Sequence, residues 1–317
     1  MFNTSFPFYG VMIFIAIIAN IIVTNILSCK YNYSIFEYIN LVLYEMIGIV
    51  IGAKIFTYLT QYNNYKEFNI YYIGMSSYGA VIGAIIMILI FSIIHNKSFK
   101  ELLYIIVPPI PLLYGIGKIG CFLAGCCRGF VYNGIGSVTY KYIPNTDTLS
   151  YFSIQLIEAI VFILIFIYLI TIIRKNKFND LYIGKTFVIC GLFKFVLDFF
   201  RISHNGKILS INQVFSLIFI LIGLIIIIVQ RKRTSKNVKK PIIVLENSKC
   251  ILLVLILVIL MIIMRKVLPI NLIISFLIIN YISLRNKNKL IKLLYYLNGS
   301  ICFIIITIVI MHSMSML

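Results

Sequence analysis

Long apolar runs separated by short polar stretches organise this chain. A helix rises 1.5 Å per residue, so about 20 apolar residues cross a bilayer. The pattern predicts ten such helices, at 9–28, 37–59, 74–94, 102–124, 152–173, 183–201, 209–230, 250–264, 267–284 and 293–313. The eighth and ninth are short and share the turn Arg265-Lys266-Val267-Leu268-Pro269, which reads as a tight hairpin or a re-entrant pair. No internal repeat of 20–50 residues is visible. The fold class expected is an all-α polytopic membrane protein.

Composition agrees. Of the 317 residues, 62% are hydrophobic and 12% charged, against roughly 45–50% and about 25% in soluble domains. So few charges cannot cover a water-soluble surface. A soluble enzyme, a disordered tail and a secreted disulfide scaffold are excluded. Met1–Phe8 lacks a basic n-region, and no small-residue cleavage site follows the first run, so that run is expected to stay as a membrane helix.

The net charge of +19 changes the picture in a different way. The basic residues cluster in short loops between apolar runs, which points to anionic lipid headgroups and not to nucleic acid. With the N-terminus outside, the cytoplasmic loops hold 18 Lys and Arg and the outer loops 6. That asymmetry predicts an N-out orientation. The run RKRTSKNVKK at 231–240 marks the clearest boundary. It separates a working membrane domain, 1–230, from a basic cytoplasmic loop, 231–249, and accessory membrane helices, 250–317. The loop reads either as a solvated segment or as an anionic-lipid or partner site.

Ionisable groups inside apolar helices are costly, roughly 2.5–3.5 kcal/mol each, and so mark candidate sites. Here they are Glu45, Lys54, Lys118, Glu158, Lys194, Asp198 and Arg201. Lys194, Asp198 and Arg201 follow i, i+4, i+7 spacing, which predicts one helical face carrying an acid between two bases. That face serves either as an ion-paired brace or as a site.

The run GIGKIGCFLAGCCRGF, residues 115–130, is the densest feature. Its glycines, Gly117, Gly120 and Gly125 among them, permit close approach of backbone to backbone or to ligand. Lys118 places a cation there, suited to a phosphate headgroup. Cys121, Cys126 and Cys127 lack metal-knuckle spacing and a neighbouring His, so no metal is expected. A disulfide or buried inert thiols remain open. Neither G-x-S-x-G, H-E-x-x-H nor a Walker loop occurs, and no cofactor is expected.

Seven blocks, in order, resemble the prolipoprotein diacylglyceryl transferase family, seven-helix enzymes of the bacterial cytoplasmic membrane. They are Tyr9-Gly10-Val11-Met12, Gly52-Ala53-Lys54 through Tyr58, Gly74-Met75-Ser76-Ser77-Tyr78-Gly79, Gly117-Lys118-Ile119-Gly120-Cys121-Phe122, Gln155-Leu156-Ile157-Glu158-Ala159, Lys194 through Arg201, and Leu209-Ser210 with Gln213. The resemblance implies a seven-helix transferase-like core, to which the C-terminal helices add about three. Four positions depart from the family pattern: its His is Tyr78, its signature Arg is Lys118, its Asn is Cys121 and its acid falls at Cys126.

The family reaction implied is transfer of a diacylglyceryl group from phosphatidylglycerol to the lipobox cysteine thiol of a prolipoprotein, with glycerol phosphate leaving. Its partners would be phosphatidylglycerol, the prolipoprotein signal peptide and membrane lipids. Such chemistry needs a thiolate and cations for the departing phosphate. The implied catalytic residues are Tyr78, Lys118, Glu158, Asp198 and Arg201. Tyr9, Lys54, Gly117, Gly120, Gly125, Gln155 and Lys194 are the implied substrate-binding residues. His204 or Glu158 offers a base in place of Tyr78. Two other readings stand beside this one: a related phospholipid-using transferase with a different acceptor, and a non-catalytic lipid-binding membrane protein.

Overall fold

The computed structural model describes residues 8–29, 31, 33–62, 73–140, 149–175, 181–202 and 209–234. They form helices α1 (Phe8–Cys29), α2 (Ile35–Thr60), α3 (Ser77–His95), α4 (Phe99–Ile106), α5 (Ile110–Ala124), α6 (Ile154–Lys175), α7 (Leu181–Asp198) and α8 (Ile211–Thr234). A two-stranded antiparallel ribbon, β1 (Ser137–Thr139) with β2 (Ser150–Phe152), lies between α5 and α6. Among the described residues, six segments are long and apolar enough to cross a membrane, with α4 and α5 counting as one. The protein is an all-α multi-pass membrane protein. The eighth to tenth expected helices, and most of the 231–249 loop, lie outside the described residues.

The first seven hydropathy runs each correspond to helix. Two differ in detail. The run expected at 102–124 is broken at 107–109, between α4 and α5. Pro108 and Pro109 have no N–H to donate and clash with the preceding turn. The run expected to continue as helix to residue 201 ends at Asp198, and Arg201 lies beyond it in a bridge to Gly129.

The described helices divide into two compact units. One contains α2, α3 and the start of α4. Ser34 caps α2 reciprocally with Glu37: the Ser34 N–H donates to Glu37 Oε2 at 3.0 Å, and the Glu37 N–H to Ser34 Oγ at 3.3 Å. Two small-xxx-small pairs then bring α2 and α3 together. A Cβ on Gly83 would fall 2.1 Å from the Gly48 carbonyl oxygen, and one on Gly52 2.2 Å from that of Gly79. Gly48 faces Gly83 while Gly52 faces Gly79, so the helices run antiparallel with their backbones in contact. The buried Lys54 ammonium donates to the Ile73 carbonyl at 2.5 Å and ties α2 to the segment entering α3.

The second unit contains α1 and the chain from Tyr104 through α8. In it α5 packs on α1 and α6, and α7 packs on α6 and α8. The Tyr182 hydroxyl donates to the Tyr104 carbonyl at 2.9 Å. Between α5 and α6 the chain pairs on both sides. The Phe130 N–H donates to the Phe200 carbonyl at 3.1 Å, and the Phe152 N–H to the Phe130 carbonyl at 3.0 Å. These bonds fasten the ends of α5, α6 and α7 to one another, and that fastening positions the site.

Candidate active site

Glu158 sits in the second turn of α6 and is 0% exposed. An unpaired carboxylate there would be prohibitively costly. Three cations meet it instead. Arg201 Nη2 donates to Glu158 Oε1 and Oε2, each at 2.7 Å. Lys118 Nζ lies 2.9 Å from Oε2 and Lys194 Nζ 3.1 Å from Oε1. The Tyr114 hydroxyl donates to Oε1 at 3.1 Å and accepts from Lys194 Nζ. Tyr114 and Lys118 are one helical turn apart on α5, so both reach the same carboxylate.

Asp198, also fully buried, forms the adjoining acid. It accepts from Ser210 Oγ, and from Asn212 Nδ2 at 3.3 Å. Arg201 Nε lies 3.5 Å from Asp198 Oδ1. Ser210 and Gln213 cap α8 reciprocally: the Ser210 N–H donates to Gln213 Oε1 at 2.9 Å, and the Gln213 N–H to Ser210 Oγ at 3.1 Å. The α8 cap therefore also holds Asp198.

The expectation that Lys194, Asp198 and Arg201 share one helical face is corrected. Lys194 and Asp198 are on α7, but the chain turns through Phe199 and Phe200 before Arg201. Backbone pairing on the far side of that turn aims the guanidinium: the Ile202 N–H donates to the Arg128 carbonyl at 3.2 Å, and Gly129 bridges Arg201.

The glycine-rich run has several separate roles. Gly120 makes room for α1, since a Cβ would fall 2.9 Å from Tyr9 Cδ2 and 3.0 Å from Met12 Cβ. A Cβ on Gly117 would meet only Ile13 Cδ1, at 3.8 Å. Gly125 ends α5 in the left-handed region at φ 66°, a conformation that favours glycine. The chain then folds back over the last turn of α5, and the Cys126 N–H donates to the Cys121 carbonyl at 3.1 Å. Gln155 Nε2 holds the loop by donating to the Cys126 carbonyl at 2.8 Å.

The three thiols of this loop meet. The Sγ atoms of Cys121, Cys126 and Cys127 all lie within 4.8 Å of one another. All three cysteines are free; Cys121 is buried, Cys126 half-buried and Cys127 exposed. Lys118, Arg201 and Tyr9 are each within electrostatic reach of Cys127. The sequence spacing argues against a metal, because C-x4-C-C is no familiar knuckle. The left-handed turn at Gly125 creates a proximity that linear spacing does not disclose.

The structure thus brings Lys118, Glu158, Lys194, Asp198 and Arg201 together in one unit, with Tyr9, Gly120, Gly125 and Gln155 beside them. Tyr78 and Lys54 belong to the other unit; Tyr78 is buried at the start of α3. Lys54, expected to bind substrate, donates to backbone. His204 lies outside the described residues. Sequence reasoning missed Tyr114, whose signal was its place one turn before Lys118. It also missed Arg128, whose guanidinium lies 4.7 Å over the Tyr151 ring.

Comparison with known proteins bears on this site. The family model described as prolipoprotein diacylglyceryl transferase matches residues 2–229. A phosphatidylglycerol--prolipoprotein diacylglyceryl transferase of Clostridium tetani is 27% identical over 237 residues, covering 71% of this chain and 93% of the relative. One from Clostridium perfringens, bearing the same name with the suffix 2, is 28% identical over 227 residues, covering 68% and 87%. The same enzyme of Rickettsia bellii is 30% identical over 203 residues, covering 59% and 76%.

Proposed function

The chain belongs to the prolipoprotein diacylglyceryl transferase family, and from that premise we propose that it moves a diacylglyceryl group from phosphatidylglycerol to the lipobox cysteine thiol of a prolipoprotein in the bacterial cytoplasmic membrane. The observation that carries this reading is the convergence of Lys118, Lys194 and Arg201 on Glu158. With Asp198, the cluster has three formal positive charges against two negative. A buried excess of positive charge favours an anion, and the phosphodiester of phosphatidylglycerol is the anion a lipid supplies from the bilayer.

The geometry supports the following roles. Glu158 is the anchor: both of its oxygens are engaged by cations, so it sets their positions and is poorly placed to accept a further proton. Asp198 orients Arg201 from the other side. Arg201 and Lys118 stabilise the phosphate oxygen on which charge develops as the glyceryl C–O bond breaks. Arg201 supplies a planar fork and Lys118 a point charge. Gln155 holds the Cys126–Cys127 loop beside this charge cluster, and Tyr9 packs against Gly120. On the family resemblance alone we also infer a catalytic part for Tyr78, at the family's His position, and assign Gly117, Gly120 and Gly125 to substrate binding.

The test is transfer of labelled diacylglycerol from phosphatidylglycerol to a lipobox peptide by the purified full-length protein in nanodiscs. Label on the peptide cysteine is the expected result. A peptide with Ser in place of the cysteine, offered in parallel, reports whether the acceptor must be a thiol. Absence of label, with phosphatidylglycerol still consumed, would show a different acceptor.

A further inference from the structure

We propose that Cys121, Cys126 and Cys127 form a three-thiolate site for a zinc-class divalent ion, with its fourth coordination position open to the thiol of the acceptor. The metal site stands on the loop's own geometry and surroundings; the identity of the fourth ligand rests on the transferase reading above.

Three observations carry it. First, the three Sγ atoms lie within 4.8 Å of one another. Three sulfurs bound tetrahedrally at 2.3 Å stand about 3.8 Å apart, so small rotations about Cα–Cβ bonds close the difference. Second, the loop is built to bring them there. Gly125 turns the chain at φ 66°, and Cys127 itself takes φ 54°, a left-handed conformation that costs a side-chain-bearing residue roughly 1–2 kcal/mol. Third, cations stand beside a group that would hold three thiolates: Lys118 and Arg201 lie within electrostatic reach of Cys127.

Thiolate sulfur selects soft or borderline ions over magnesium or calcium. A disulfide between the adjacent Cys126 and Cys127 is the poorer use of these sulfurs. Neighbouring Cα atoms are about 3.8 Å apart, below the usual range for a disulfide. Among the described residues, no fourth His, Cys, Asp or Glu joins the group. Three protein ligands with one open position is the arrangement of catalytic zinc sites, and the exposed Cys127 leaves that position accessible.

The chemistry suits a chain with Tyr78 where the family has His. A thiol entering the open fourth position would bind as thiolate, its proton passing to solvent water. The bound thiolate sulfur then attacks the glyceryl carbon next to the phosphate. An S–C bond forms as the C–O bond breaks, and the electron pair leaves on glycerol phosphate. No oxidant or reductant is required.

Cobalt(II) is the probe. Metal-free full-length protein in nanodiscs should bind one cobalt per chain with intense sulfur-to-cobalt and tetrahedral visible bands, displaced by zinc. Cys121→Ser, Cys126→Ser and Cys127→Ser should each lower affinity more than about 100-fold, beyond the loss typical of a residue that only supports a ligand. Cys190→Ser should leave it unchanged. A lipobox peptide should shift the cobalt bands, and its Ser counterpart should not. Absence of a cobalt spectrum in wild-type protein, or a disulfide in place of the thiols, overturns the metal site. A cobalt spectrum indifferent to the peptide thiol overturns the open position. Transfer that proceeds equally without metal sinks this inference and leaves the function standing. A thiol-responsive site without transfer supports the metal proposal and sinks the function.

Discussion

Arg201 Nη2 lies 2.7 Å from both carboxylate oxygens of Glu158, a residue 43 positions earlier in the chain. This contact closes the gap between the end of α7 and the face of α6. It makes Arg201 a structural brace as well as the cation we propose for the phosphate, so variants at its two ends should behave differently.

Glu158→Gln keeps the shape and removes the charge around which three cations gather. Breaking a buried ion pair by neutralising one partner costs roughly 3–5 kcal/mol. Thermal unfolding in detergent should therefore fall by many degrees, and transfer should be lost. A variant as stable as wild type would contradict the anchoring role.

Arg201→Ala should weaken phosphatidylglycerol binding by roughly 1.5–3 kcal/mol, the scale of a hydrogen bond to a charged group. Arg201→Lys should recover only part, because the planar fork is lost. Titration of nanodiscs with and without phosphatidylglycerol measures both. Unchanged affinity in a folded Arg201→Ala protein would remove Arg201 from the headgroup site.

Gly83→Ala should destabilise the α2–α3 pair by roughly 1–3 kcal/mol, since its Cβ would fall 2.1 Å from the Gly48 carbonyl oxygen. Gly117→Ala should be nearly neutral for folding, since its Cβ would meet a single atom at 3.8 Å. Paired unfolding curves decide this, and equal losses would argue against backbone contact as the cause.

The N-out orientation predicts that a cysteine introduced in the 231–240 loop is protected in intact cells and labelled after lysis. Labelling of that loop in intact cells by an impermeant reagent would reverse the orientation and place the basic loops outside.

The membrane-spanning helices were legible in the linear pattern because each is a local property. A long apolar run favours helix from its own residues, and the first seven runs each correspond to helix, with Pro108 and Pro109 breaking the fourth. The charged residues of the site were legible too, since an ion inside an apolar run is conspicuous on its own. Their partners were not. Tyr114, Lys118, Glu158, Lys194 and Arg201 meet only once α5, α6 and α7 have packed in one register, and registers depend on contacts such as Gly115 against Ala159. The departure of Arg201 from its helix turns on backbone pairing with the segment at Arg128 and Gly129, far away in sequence, while the meeting of Cys121 with Cys126 and Cys127 turns on the left-handed conformation at Gly125. Local periodicity contains no information on where two such segments touch; close packing in three dimensions decides it.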